Sequence, residues 1–164
     1  MYLLTCELKA PVPIEKAFAV FESPYNLARI TPPWLRFRIT TPQPVAIQKG
    51  AEIEYQIRWL GIPVSWKTLI TVYQPPLLFE DEQASGPYRL WRHRHGFEQV
   101  EDGTVISDRV EYGLPLGAVG RLAHYLAVAR QLRGIFTYRQ RALMPLLGGA
   151  AASYVFSPVL ITAM

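Results

Sequence analysis

Two histidines one residue apart, His93 and His95, stand between a tryptophan and a phenylalanine in the run "GPYRLWRHRHGFEQVEDGTVISDRVEY". Imidazoles at this spacing suit three kinds of chemistry: a metal-binding or proton-transferring pair, polar anchors in a ligand cavity, or a hydrogen-bonded pair inside a core. In a strand alternate residues share a face, so Trp91, His93, His95 and Phe97 lie together while Leu90, Arg92 and Arg94 lie opposite. Alternate positions are about 6.6 Å apart at Cα, close enough for two imidazoles to share an ion.

The partners of these histidines depend on the next strand. A hairpin centred on "EDGT" sets His93 opposite Tyr112, His95 opposite Val110 and Phe97 opposite Asp108. Ile106, Val110 and Tyr112 form the apolar set of that strand and Asp108 shares their face, whereas Ser107, Arg109 and Glu111 suit water. The preceding strand aligns Phe79, Asp81 and Gln83 in the same way. The result is an inward cluster of Asp81, Gln83, His93, His95 and Asp108 among aromatic rings.

Each reading of the cluster makes its own demand. A buried network needs only that every polar group find a partner, and such a network can still present a free donor to a ligand. A metal site would need Asp81 or Asp108 as third ligand, because His124 falls about 200° round the helical wheel from Leu122 and is expected to face out. Acid–base catalysis would use His93 or His95, with Asp108 as the orienting carboxylate. Cys6 has no recognisable catalytic partner, and "GLPLGAVG" lacks the Gly-Lys-Ser/Thr ending of a phosphate loop. No metal and no cofactor is expected.

The rest of the chain must position this cluster. "YLLTCEL" suits a first strand. "PIEKAFAVF" and "SPYNLARIT" read as two short helices, the first with Ile14, Ala17, Phe18 and Phe21 at helical spacing, the second ending before Pro32 and Pro33. "WLRFRIT", "AEIEYQIRWL", "VSWKTLITVYQ" and "LLFEDEQA" are strand patterns, joined by short turns that favour antiparallel pairing. From Gly117 to Met144 the period lengthens: Val119, Leu122, Leu126, Ala129, Leu132, Phe136 and Leu143 recur at threes and fours. Arg121, Arg130, Arg133, Arg139 and Arg141 take much of the remaining surface. The expected layout is α+β: a seven-stranded curved antiparallel sheet wrapped around one long C-terminal helix, with two short helices after the first strand.

At 164 residues, half of them hydrophobic, the chain is long enough for one domain with a core or a cavity. A net charge of +4 permits attraction to an anionic surface without requiring it. One cysteine excludes an internal disulfide, and no signal-peptide pattern opens the chain, so a cytoplasmic protein is the expectation. After Arg141, "ALMPLLGGAAASYVFSPVLITAM" carries no charge for 23 residues. That length would span a bilayer, but Pro145, Gly148, Gly149 and Pro158 interrupt it. The tail from 147 to 164 is expected to cover apolar surface of its own or of a neighbouring protomer.

This order of elements resembles the START-like, or birch-pollen-allergen-like, helix-grip superfamily of polyketide cyclases, dehydrases and lipid-transport domains, over residues 1 to 146. More narrowly, "NLARITPPWLRFRI", "FEDEQASGPYRLWRHRHGFE", "ISDRVEYGLPLG" and "RQLRGIFTYRQRAL" resemble a bacterial branch of ligand-binding cyclase/dehydrase proteins. The resemblance implies a cavity between sheet and long helix that takes an apolar small molecule such as a lipid, isoprenoid quinone or polyketide.

Joined to the residue reading, this gives a ligand-binding protein ahead of an enzyme. Tyr55, Trp66, Trp91, Phe97 and Tyr112, with Phe136 on the helix, are expected to desolvate the body of the ligand. His93, His95 and Asp108, with Asp81 and Gln83 beside them, are expected to hold its polar end. Arg36, Arg38, Arg92 and Arg94 should face solvent, where their sign would favour peripheral contact with an anionic membrane. Nucleic-acid binding is not expected, because the aromatics are needed inside and no stacking platform is left exposed.

Overall fold

The computed structural model describes residues 1–42, 44–59 and 61–164. Leu60, the last residue of the strand pattern "AEIEYQIRWL", lies outside them. Strand β1 (Tyr2–Ala10) is followed by helices α1 (Ile14–Glu22) and α2 (Pro24–Ile30) and a 3-10 turn (Pro33–Leu35). Strands β2 (Arg38–Ile39), β3 (Glu52–Trp59), β4 (Ile62–Gln74), β5 (Leu78–Ser85), β6 (Leu90–Val100) and β7 (Gly103–Gly113) then form an antiparallel meander. A long helix closes the sheet, and two tail strands, β8 (Val155–Phe156) and β9 (Leu160–Ala163), complete the chain. The sheet order is β2-β3-β4-β5-β6-β7-β1-β8, with β9 also paired to β1. This is the expected helix-grip layout, enlarged from seven strands to nine.

The expected strand "WLRFRIT" is mostly not a strand. Pro32 and Pro33 start a 3-10 turn that buries Leu35, Arg36 adopts left-handed backbone with φ 46°, and only Arg38 and Ile39 pair with β3. Proline cannot donate to a ladder, which delays strand pairing here.

The β6–β7 register also differs from the expectation, by two residues. His93 faces Val110, His95 faces Asp108 and Phe97 faces Ile106, because Val100 pairs with Gly103 across a turn of only two residues, Glu101 and Asp102. Gly103 is what permits it: φ is +139°, and a Cβ there would lie 2.1 Å from the Ala10 carbonyl oxygen. A shift of two preserves parity, so every side chain keeps its expected face.

The long helix is one rod with a flaw: α3 (Gly117–Ala123), a π turn (His124–Val128) and α4 (Ala129–Leu147). A π turn takes more residues per revolution than an α turn and rotates the buried face. Ala129, Leu132, Phe136 and Leu143 are buried as expected. α3 buries Gly120 and the π turn buries His124 and Val128, while Val119, Leu122 and Leu126 point to solvent at 64%, 59% and 66% exposure. The outward placement expected for His124 is therefore reversed. Tyr112 Oη lies 2.8 Å from its Nε2, and Tyr2 stacks on its ring. Pro145 does not break the helix, which continues to Leu147. The proline sits on the exposed side, where a lost backbone hydrogen bond costs least.

The uncharged tail returns to the protein's own sheet. β8 pairs with Leu8 and Lys9 and β9 with Tyr2 to Thr5, covering the edge of β1 that β7 leaves free. Tyr154 is buried and donates its hydroxyl hydrogen to the Gly148 carbonyl, and Gln140 donates to the carbonyls of Glu7 and Ser157, so sheet, helix and tail meet at one amide. No helix among the described residues is long and apolar enough to cross a membrane.

Candidate functional site: a polar cluster on the wall of an apolar cavity

Three neighbouring strands and the helix bring the polar cluster together. On β6, His93 and His95 point inward; Asp81 on β5 pairs with His93, and Asp108 on β7 pairs with His95. The two aspartates thus flank the two imidazoles diagonally across the sheet. His93 Nε2 lies 2.9 Å from Asp108 Oδ1, and His95 Nδ1 lies 2.9 Å from that same oxygen. On the other side Asp81 Oδ2 is 3.3 Å from His95 Nε2 and 3.8 Å from His93 Nδ1. The imidazole centroids are only 3.8 Å apart.

Burial governs the charges. His93 is pushed down to about 4, first by burial and next by His95, against the pull of Asp108 and Asp81. It is therefore a neutral imidazole at neutral pH. Burial alone would raise Asp108, but the Arg139 guanidinium and the hydrogen bonds from both histidines outweigh it and hold the carboxyl well below its usual range.

Arg139, expected on the helix surface, is instead part of the cluster. Its side chain is 11% exposed; Nε lies 3.8 Å from Asp108 Oδ2, Nη2 lies 3.3 Å from His95 Nδ1, and the guanidinium rests over the Phe21 ring at 5.3 Å. The signal was present in the sequence: 139 is three after Phe136 and four before Leu143, squarely on the buried stripe. Charge alone put it outside, although arginine enters cores when a carboxylate and an aromatic face meet it.

Above the cluster lies a cavity of about 180 Å³, between the concave sheet and helices α2 and α4. An apolar cavity of roughly 150 Å³ is enough to hold one benzene-sized ring, so this space takes a ring or a short chain. Of the residues singled out from sequence, Tyr55, Trp66, Asp81, Trp91, His93, His95 and Phe136 line it. The other four do not. Asp108 stands behind the imidazoles. Gln83 bonds the backbone N–H and carbonyl of Tyr88, fixing the loop before β6. Phe97 packs edge-on against Phe18 and Phe21 in the core near α1. Tyr112, fully buried, turns to His124. All four have the expected facing but lie outside the cavity wall, because the sheet's inner face is longer than the cavity and packed core fills the rest. Thr68, Tyr88, Leu132, Ile135 and Arg139 join the lining without having been singled out.

Two buried donors among the described residues lack partners and belong to cavity-lining side chains: Trp66 Nε1 and Arg139 Nε. Trp66 stacks on Tyr55 at 5.9 Å and meets Trp91 edge-on at 5.4 Å. Tyr55 in turn shares a hydrogen bond with Thr68 and is raised strongly by burial. The wall is thus broadly apolar, with polar atoms concentrated at Asp81, His93, His95 and Arg139.

The outer face offers less than its charge suggested. Arg92 and Arg94 are exposed as expected, but they pair with Glu82 at 2.7 Å and Glu80 at 3.1 Å. Cys6 is buried and its thiol is raised by burial, which removes it as a nucleophile.

No protein-family model and no curated protein matches the chain. Solved structures do. A protein from Thermus thermophilus, TTHA0849, superposes with a TM-score of 0.66 at 15% identity over 88% of this chain and 96% of its own. Ara h 8.0201 does so with a TM-score of 0.57 at 15% identity over 87% and 99%. A nucleoside-diphosphate sugar epimerase from Corynebacterium glutamicum matches with a TM-score of 0.63 and 24% identity; the match spans 86% of this chain but 28% of that protein. These likenesses show that the chain has the birch-pollen-allergen-like helix-grip fold.

Proposed function

We propose that the protein binds a small, mostly apolar molecule bearing one polar group, its body between Trp66, Trp91 and Phe136 and its polar end toward His93, His95 and Asp81. The single observation that carries this reading is the concentration of polar atoms on one wall of an otherwise apolar cavity. That is the pattern of sites that desolvate a ligand and orient it by a few polar contacts. The Trp66 Nε1 donor, buried without a hydrogen-bond partner, supports it, since a buried donor costs free energy until an acceptor arrives. The volume favours a single ring or a short chain; a long lipid or isoprenoid tail would have to extend through the opening. Native mass spectrometry of protein purified from its host tests this. A co-purified molecule lost from a Trp66→Ala variant supports it, and a cavity that stays empty against a panel of lipids, quinones and aromatic polyketides counts against it.

A second reading, cyclase or dehydratase chemistry, has one observation in its favour: His95 lies beside Asp108 and Asp81, which can orient and polarise it as a general base. His93, neutral at neutral pH, is poorly suited to donate a proton.

The route by which such a ligand is delivered is proposed to be a peripheral contact with anionic membrane. Leu116, Val119, Leu122, Tyr125 and Leu126 form an exposed apolar face at 59–83% exposure. From Gly113 onward the chain carries four exposed arginines, Arg121, Arg130, Arg133 and Arg141, and no acidic residue. Apolar side chains flanked by cations suit an acidic bilayer surface. In flotation assays, vesicles containing phosphatidylserine should carry the wild type, and Leu122→Ser with Leu126→Ser should abolish it; equal flotation of both would discard this contact.

A further inference from the structure

His93 and His95 are each tethered by one ring nitrogen and turn the other toward the same carboxylate. Asp108 Oδ1 lies 2.9 Å from His93 Nε2 and 2.9 Å from His95 Nδ1. A ring nitrogen that close to a carboxylate oxygen carries the hydrogen, because two lone pairs would repel at that distance. Arg139 Nη2, 3.3 Å from His95 Nδ1, could donate to it only in the opposite tautomer, and the shorter contact with a full negative charge decides against that. The free lone pairs are then His93 Nδ1 and His95 Nε2, which face Asp81 Oδ2 at 3.8 and 3.3 Å. Three acceptors thus converge with no donor among them, and Asp81, His93 and His95 each offer a ligand atom within 4.8 Å of the others.

We propose that Asp81, His93 and His95 form a binding site for a divalent transition-metal ion, ligated through Oδ2, Nδ1 and Nε2 and open toward the cavity. A tetrahedral ion with bonds of about 2.0–2.1 Å holds neighbouring ligand atoms roughly 3.4 Å apart, close to the 3.8 and 3.3 Å that separate Asp81 Oδ2 from His93 Nδ1 and His95 Nε2. A carboxylate on the far nitrogen of each ligating imidazole, as Asp108 provides, fixes tautomer and ring direction and raises ligand basicity. Arg139 offsets the charge of Asp108 from behind and keeps that carboxylate out of the coordination sphere. Two imidazoles and one carboxylate with open positions are a donor set suited to Zn²⁺ or Fe²⁺ rather than Ca²⁺ or Mg²⁺. The open position faces Trp66, Trp91 and Phe136, so the polar end of the molecule proposed above would meet the ion. Only that last placement rests on the ligand-binding reading; the metal site stands on its own geometry. The competing occupant is a proton on His95 Nε2, which would make that nitrogen a donor to Asp81.

The test uses untagged full-length protein, stripped with chelator and titrated with Co²⁺ and then Zn²⁺, with no organic ligand added. The expected result is one Co²⁺ per chain, visible absorption of a four- or five-coordinate site, and displacement by one Zn²⁺. His93→Gln and Asp81→Asn should each weaken binding at least a hundredfold, and Asp108→Asn ten- to a hundredfold, while His124→Gln, remote from the site, binds as the wild type does. Circular dichroism of each variant separates loss of ligands from loss of fold. Wild-type protein that binds no Co²⁺ or Zn²⁺ up to millimolar concentration overturns the proposal and leaves the proton as occupant. Retention in a folded His93→Gln variant, or loss in His124→Gln, overturns it as well. Co-purification of an apolar molecule is measured separately and stands or falls independently.

Discussion

Tyr112 Oη lies 2.8 Å from His124 Nε2 and joins the C-terminal end of β7 to the π turn of the long helix. Tyr2 stacks over the imidazole with centroids 3.5 Å apart and planes 10° from parallel, so the contact is sealed from β1 as well. Burying His124 rotates the first turns of the helix and turns Val119, Leu122 and Leu126 outward. One buried polar pair therefore accounts for both the helical flaw and the exposed apolar face.

Tyr112→Phe removes the hydroxyl and leaves a buried imidazole nitrogen without its partner. The expected loss of stability is about 1–3 kcal/mol by urea unfolding, the cost of an unsatisfied buried polar group. Because Tyr112 lies outside the cavity, co-purification of ligand should not change. A loss below about 0.5 kcal/mol would mean that water replaces the hydroxyl.

The same contact predicts a pH dependence. His124 is lowered from its ordinary value, by burial first and then by Arg133 and the N-terminus. A histidine with a depressed folded pKa binds its proton more readily when unfolded. The contribution is thus fully present above the unfolded value of about 6.5 and is lost as pH falls toward the folded one. In metal-free protein His93, pushed down to about 4, acts with the same sign. Thermal melts from pH 7.5 to 4 should show falling stability in the wild type and a shallower fall in His124→Gln. A slope unchanged by that substitution would refute the assignment.

How much of this was legible in the sequence differs from feature to feature. The inward facing of His93, His95, Asp81 and Asp108 followed from period two alone and survived a two-residue error in register, because parity is insensitive to even shifts. The placement of Phe97 and Tyr112 in the cavity did not survive, since periodicity tells which face a residue takes but not whether the space above it is empty or packed. Arg139 was sent outward by its charge, and His124 by its angle from Leu122 on an ideal α-helical wheel, which the π turn breaks. One is neutralised by Asp108 and Phe21, and the other is bonded by Tyr112, and such tertiary partners have no local signature. The tail's pairing with β1 was equally hidden, because a strand of two residues and another of four are too short to show alternation.

That pairing carries its own prediction. Removing residues 150–164 exposes the β1 edge along Tyr2 to Thr5 and at Leu8 and Lys9, and deprives Gln140 of the Ser157 carbonyl. A bare edge offers unpaired N–H and C=O groups to a second chain. The truncated protein should elute as larger species, or precipitate, in size-exclusion chromatography with light scattering, and should melt below the full chain. A truncated chain with the same mass and melting temperature as the intact one would show that the tail strands contribute little.

Carrier and enzyme separate at the two histidines. Changing His93 or His95 singly to Gln keeps approximate size and hydrogen-bonding capacity while removing the imidazole that a general acid or base would use. A carrier should keep ligand affinity within about tenfold, on the order of one hydrogen bond or roughly 1.4 kcal/mol, and should release the molecule unaltered. General acid–base catalysis should instead lose roughly a hundredfold or more in turnover with binding nearly intact. The two residues should also differ from each other: burial keeps His93 neutral and a poor proton acceptor, so a proton-transfer role falls on His95. Incubating the co-purified molecule with each form and weighing what is released by mass spectrometry reads this directly. Conversion by the wild type and by His93→Gln, but not by His95→Gln, would replace the carrier reading with cyclase or dehydratase chemistry centred on His95. Unaltered release from all three leaves binding as the function.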